Sequence, residues 1–238
     1  MKSSQIPFTP WKRLLLLLLC PLVVAGCASP TGPASPDPTS ASSDPASASA
    51  APAAVGSSPA GSSDDVDYRV TYDFNVPTSP VTIAHTVTPP IAQPPAPPLP
   101  YLVGIYVGNH PPSYQRISFY FRGAFPPYRF QYVRAVTSDG SGAPVPLSGN
   151  AFLSIVFLSA QAHLENGTSS VLEKPSTAIG FPNLRSYAPA GDFEGHVSFG
   201  LGIQTAPNSD QVLRIRAGEL HRSSDPGVYV VHFDVESA

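Results

Sequence analysis

An all-β protein, with one antiparallel β-sandwich domain behind a signal peptide and a disordered linker, is what this 238-residue sequence predicts. Three observations carry that prediction. From Val66 onward, short runs of Val, Ile, Tyr, Phe and Thr alternate with polar residues at period two. Gly and Pro clusters separate the runs: Pro126-Pro127, Asp139-Gly140-Ser141-Gly142 and Asp225-Pro226-Gly227. No stretch of the domain reads as an amphipathic helix with caps; only Ser159–His163 suggests a single turn.

The first element is a leader, residues 1–26. Its apolar run from Leu14 to Val24 is 11 residues long. As a helix it reaches about 16–17 Å, against a hydrocarbon core about 30 Å thick. It is too short to span, and Pro21 interrupts it. Lys2, Lys12 and Arg13 precede it and the small residues Ala25 and Gly26 follow, the three-part layout of a secretory signal. Val24-Ala25-Gly26-Cys27 resembles the bacterial lipobox. That resemblance implies a diacylglycerol on the Cys27 sulfur, cleavage before Cys27, and a further acyl chain such as palmitate on the new amine. Two or three chains are enough for durable anchoring, where one is marginal. The expected location is the extracytoplasmic face of the cell membrane, and Ala28 after the cysteine gives no inner-membrane retention signal. Cys20 leaves with the leader, so the domain has no disulfide, no Cys metal site and no thiol nucleophile.

Residues 27–65 form the second element. From Ala28 to Asp64 the composition is nearly all Ala, Ser, Pro, Gly, Thr and a little Asp, with Val55 the one larger aliphatic residue. Such a segment cannot bury enough apolar area to offset its ordering entropy, so a disordered tether is expected. A flexible chain of this length spans roughly 35 Å, or about 115 Å if drawn toward polyproline II.

The domain, residues 66–238, follows. Strands are expected at Tyr68–Phe74, Val81–Val87, Leu102–Val107, Arg116–Phe121, Arg129–Val136, Phe152–Leu158, Glu194–Ile203, Val212–Ala217 and Val228–Val235. Pro89–Pro100 is a crossing segment, since its prolines cannot serve a central strand. Of 13 basic residues, Lys2, Lys12 and Arg13 lie in the leader; the remaining 10 face 16 acidic ones, a balance near −6. That charge leaves no footprint for nucleic acid.

At "YQRISFYFRGAFPPYRFQYV", beginning at Tyr114, the chain resembles the AMIN-like domain of actinobacterial lipoproteins. "AGDFEGHVSFGLGI", Ala190–Ile203, is similar to that family's "GDFEG" strand, and "GVYVVHFDV" to its last strand. Gln115 and Tyr120 stand where the family carries acidic residues. The resemblance covers roughly Leu102 to Val235. It implies a β-sandwich related to the AMIN domain, a module that targets cell-wall amidases and envelope machines to peptidoglycan or to division and secretion sites.

Candidate sites follow from residue types. Asp192 and Glu194, two apart in one expected strand, share a face about 6.5–7 Å apart along the backbone, and His196 continues it. Two close carboxylates suit a glycosidase, but acids alternating with a core Phe193 suit a solvent face better, and no catalytic residue is assigned. The flanking Gly191 and Gly195 suggest a bulge or close packing. Six scattered histidines offer no converging set of three or four metal ligands, and no motif asks for a cofactor.

Eight aromatics crowd Tyr114–Tyr132, most of them destined for the core. Those left outside, Tyr120 among them, join Arg116, Arg122 and Arg129 as an expected sugar- or peptide-binding surface, with Asp192 and Glu194 as a binding edge. Tyr and Arg suit this because each offers a flat face and a polar tip. The expected role is a lipid-anchored, non-enzymatic module that attaches to peptidoglycan or to an envelope protein complex. The alternatives are a structural or adaptor lipoprotein binding another protein, and a carboxylate-dependent hydrolase.

Overall fold

The computed structural model describes residues 66–206, 211–222, 225 and 227–238. The expected lipidation residue Cys27, and the expected leader and linker, lie outside the described residues. Ten strands and no helix occur among the described residues: β1 Val66–Asn75, β2 Val81–Ile83, β3 Tyr101–His110, β4 Tyr114–Arg122, β5 Tyr128–Val133, β6 Ala151–Leu158, β7 Leu184–Phe193, β8 His196–Ile203, β9 Ile215–Arg222 and β10 Val228–Glu236. They form two antiparallel five-stranded sheets packed as a sandwich. The first has the order β1-β9-β10-β4-β3, the second β2-β5-β6-β8-β7.

Alternation drives the layering. Odd residues of β4 and β10 enter the core: Ile117, Phe119 and Phe121 beside Val231, Phe233 and Val235, all fully buried. From the second sheet Tyr128, Phe130, Leu153, Ile155, Phe157, Phe199 and Leu201 meet them. Phe119 lies 5.0 Å from Phe157 and 4.9 Å from Phe199, and Phe130 lies 5.2 Å from Phe233, in tilted or edge-on pairs. Each such burial stabilises by roughly 1.5–3 kcal/mol. The expectation that the aromatic run splits by parity holds: Phe119 and Phe121 face in, Tyr120 faces out.

Five sequence expectations need correction. β7 was not expected: Pro189 and Gly191 break its alternation, but it is an edge strand, where a missing donor costs no ladder bond. The strand expected from Glu194 starts at His196, because Glu194 and Gly195 form the hairpin turn, both with positive φ (51° and 75°). The strand expected at Val212–Ala217 lies at Ile215–Arg222. β2 stops at Ile83, where the chain leaves the sheet and brings His85 to Glu219. Ser159–His163 makes no helical turn; Gln161 instead pairs with Tyr101 as a parallel bridge.

Connections protect the sheet edges. The 161–173 segment runs beside the start of β3, with Leu102 N–H donating to Gln161 and Ile105 N–H to Glu173. The 136–148 loop lies over the second sheet's outer face, Val136 and Leu147 against Gly200. Gln115 fastens the two sheets: its side-chain oxygen accepts from Asn183 N–H (2.9 Å) and Leu184 N–H (2.6 Å) at the start of β7.

Candidate functional site: a tyrosine-lined groove on the first sheet

The outer face of the first sheet is organised in rows by strand register. Tyr120 of β4 lies between Gly104 of β3 and Val230 of β10, and Val230 pairs with Leu220 of β9. The row beside it runs from Arg122 to Val228. These residues floor a groove of about 550 Å³. Tyr101 and Tyr106 of β3, and Leu172 and Glu173 of the covering segment, wall it on one side; Arg222 and Asp225 close it on the other.

Tyr106 sets the shape. It leans back along β3 over Gly104, where any Cβ would lie 2.8 Å from its ring. Glycine at 104 is therefore what lets the ring lie flat. Its centroid is 4.6 Å from that of Tyr120, at 61°. Its hydroxyl donates to Glu173 Oε2 at 2.6 Å, and that bond pushes the Tyr106 pKa up, with a smaller contribution from burial. Arg122 pairs with Asp225 at 3.0 Å, both substantially exposed. Leu172 is 83% exposed at the rim. The result is an apolar floor, two tyrosine rings and paired charges at the margins, a combination that orients a polar ligand with flat apolar faces.

The six expected binding residues do not form one surface. Tyr120 and Arg122 line the groove. Arg116, two rows from Tyr120, points the same way but is bound to Asp234. Arg129 and Glu194 lie on the second sheet, in a shallow cleft with Asp139, His196, Ser198 and Phe193. Asp192 stands at the end of β7, where its carboxylate accepts Ala162 N–H (3.1 Å) and meets His163 Nδ1 (2.7 Å). Because Glu194 is in the turn, Asp192 and Glu194 do not share a strand face, and the paired-carboxylate geometry is not made. Phe193, expected in the core, is 71% exposed at the hairpin tip. The bulge expected near Gly191 is present, between Pro189 and Gly191. No cluster of three or more metal-ligating side chains occurs among the described residues.

Sequence reasoning missed the groove's Tyr106, Leu172, Leu220 and Glu173. It also missed a buried polar cluster at the edge of the core. There Glu219, 2% exposed, accepts from Arg69 (2.6 Å) and bonds His85 Nε2 (2.8 Å), beside the hydrogen-bonded hydroxyls of Tyr128 and Thr71 (2.7 Å). Burial alone would raise the Glu219 pKa; the bonds and charges of His85 and Arg69 outweigh it and hold the carboxyl below its ordinary value. Burial, together with the neighbouring Glu219 charge, pushes the Tyr128 hydroxyl far up.

Residues 100–217 match the AMIN-like domain family. β1, β2 and β10 lie outside the matched span, although β1 and β10 complete the first sheet and β2 the second. No curated protein and no solved structure matches the chain.

Proposed function

We propose, for a chain whose residues 100–217 are an AMIN-like domain, that it is an envelope-binding module without catalytic chemistry, whose tyrosine-lined groove takes a wall glycan. The groove carries this reading. Tyr106 and Tyr120 offer ring faces to the C–H faces of sugar rings, and Glu173, Asp225, Arg122 and Arg222 border them with acceptors and donors for hydroxyl and amide groups. In the same reading Cys27 carries the lipid, and residues 28–65 hold the domain off the extracytoplasmic face of the membrane.

Co-sedimentation of the purified chain with insoluble peptidoglycan tests the groove. The chain is expected in the pellet at low and moderate salt, and Tyr106→Ala with Tyr120→Ala is expected to weaken binding at least about tenfold, the loss of roughly 1.4 kcal/mol or more. A chain that stays in the supernatant, or a double variant that pellets equally well, overturns the assignment. Intact-mass measurement of the membrane-extracted protein tests the anchor. The expected species begins at Cys27 with added diacylglycerol; an unmodified Cys27, or residues 1–26 still attached, overturns it.

A further inference from the structure

We infer that the exposed edge strand β1 is a self-pairing surface through which two copies of this chain join into one continuous sheet. β1 is the terminal strand of the first sheet, paired with β9 on one side only. A strand edge offers unpaired backbone donors and acceptors to any strand that fits. Val66, Tyr68 and Val70 are exposed there, 37%, 45% and 43%, on the outer face. They make up half of the six large hydrophobics that the described residues expose.

The occupant is specified by the sequence of the edge itself. Val66-Asp67-Tyr68-Arg69-Val70 is symmetric about Tyr68 in its apolar residues and antisymmetric in charge. Antiparallel pairing about a two-fold axis at Tyr68 sets Tyr68 opposite Tyr68 of the second copy and Val66 opposite Val70. It also sets Asp67 opposite Arg69, twice. Successive side chains alternate between faces, so the three apolar pairs fall on the outer face and the two opposite-charge pairs on the other. Cross-strand pairs of both kinds stabilise, and a two-fold interface requires this self-complementarity. Moving the register by two residues in either direction breaks the charge match.

Local structure fits the pairing. Arg69 spends one nitrogen on Glu219, yet its side chain is 60% exposed and its remaining donors are available to a second carboxylate. Tyr68 is braced by stacking on His232, ring centroids 5.6 Å apart at 16°, so the central residue is already held. The register shift between Val70 and Tyr72 lies outside the five-residue segment and ends it. A five-residue seam is small, and a weak dimer is expected, with dissociation roughly in the 1–100 μM range.

Sedimentation equilibrium of the purified full chain in mild detergent tests this, with Val66→Lys/Val70→Lys as the breaking variant. The two lysines are at exposed positions and would face each other across the joint. A concentration-dependent dimer weakened at least about tenfold by that variant is expected. A monomer throughout, or a dimer indifferent to the lysines, overturns the inference. Disulfide trapping fixes the register in a Cys20→Ser/Cys27→Ser background. Directly opposed residues have Cα atoms about 4.5–5.5 Å apart, within disulfide reach, so Tyr68→Cys should crosslink. Val66→Cys should not, because its two copies lie about 13 Å apart. Equal crosslinking of both, or none at position 68, also overturns it.

Discussion

Arg116 and Arg122 leave β4 on the same side, six residues apart, and come to opposite ends. Arg122 reaches the groove, where its charged partner among the described residues, Asp225, is exposed. Arg116 meets Asp234 of β10, which is fully buried and takes Arg116 Nε at 2.6 Å and a second nitrogen at 3.0 Å. From the other side, Arg216 of β9 donates to Asp234 Oδ2 at 2.9 and 2.6 Å. Aromatic rings seal this pair: Arg216 lies 4.6 Å from the Phe74 ring and 5.0 Å from Tyr114, and Arg116 lies 5.1 Å from Tyr114. The difference lies in what β10 presents opposite each arginine, Asp234 to one and Val228 to the other. One end of the sheet face is a closed ion cluster that holds three strands together; the other is an open groove whose charges remain available.

Removing each end's carboxylate partner separates the two most sharply. Asp234→Ala leaves two partly buried guanidinium groups without their acceptor, and breaking a buried pair costs about 3–5 kcal/mol. At the groove, Asp225→Ala removes a surface pair and should cost less than about 1 kcal/mol. Urea unfolding of the two variants reads the contrast directly. Similar midpoints for both would show that the Asp234 cluster is no more structural than the groove.

The sequence showed the layers better than the sites. β6 alternates residue by residue over a buried face, and β4 and β10 set Ile117, Phe119, Phe121, Val231, Phe233 and Val235 into the core at every second position, so the existence and facing of these strands were legible. β7 was hidden by Pro189, which suits an edge strand, and by Gly191 at its register shift. Glu219 and His221 made the second half of β9 read as a loop, since the sequence does not show that Arg69 and His85, 150 and 134 residues away, converge on that carboxylate. Tyr120 and Arg122 were found because parity alone places them outside. Arg116 was grouped with them for the same reason, and parity cannot say that a cross-strand aspartate has taken it. The Glu194-Gly195 turn did leave a signal, a glycine after a polar residue between two alternating runs, and the "GDFEG" likeness to a strand overrode it.

His232 marks the boundary between the two ends, and acid should expose their difference. Its side chain is 1% exposed, it lies between the Val230 row and the Asp234 row, and its Nε2 has no hydrogen-bond partner. Burial is the largest cause holding its pKa down at about 4; Arg116 and Arg216 lower it further, and Asp234 and Glu219 oppose them. The imidazole is therefore neutral in the fold at pH values where the unfolded chain, with a value near 6.5, already binds a proton. Its contribution is fully present above that unfolded value and is lost as pH falls from there toward 4, about 3 kcal/mol in all. Glu219 acts in a different window. Its folded value is below the ordinary carboxylate value of 4.5, so its contribution is present above 4.5 and lost only as pH falls through the lowered folded value. Urea midpoints measured from pH 7 to pH 4.5 should fall in the native chain and stay nearly flat in His232→Phe, which keeps a ring beneath Tyr68 and cannot titrate. A slope that survives in the variant would mean that another group sets the acid sensitivity of this face.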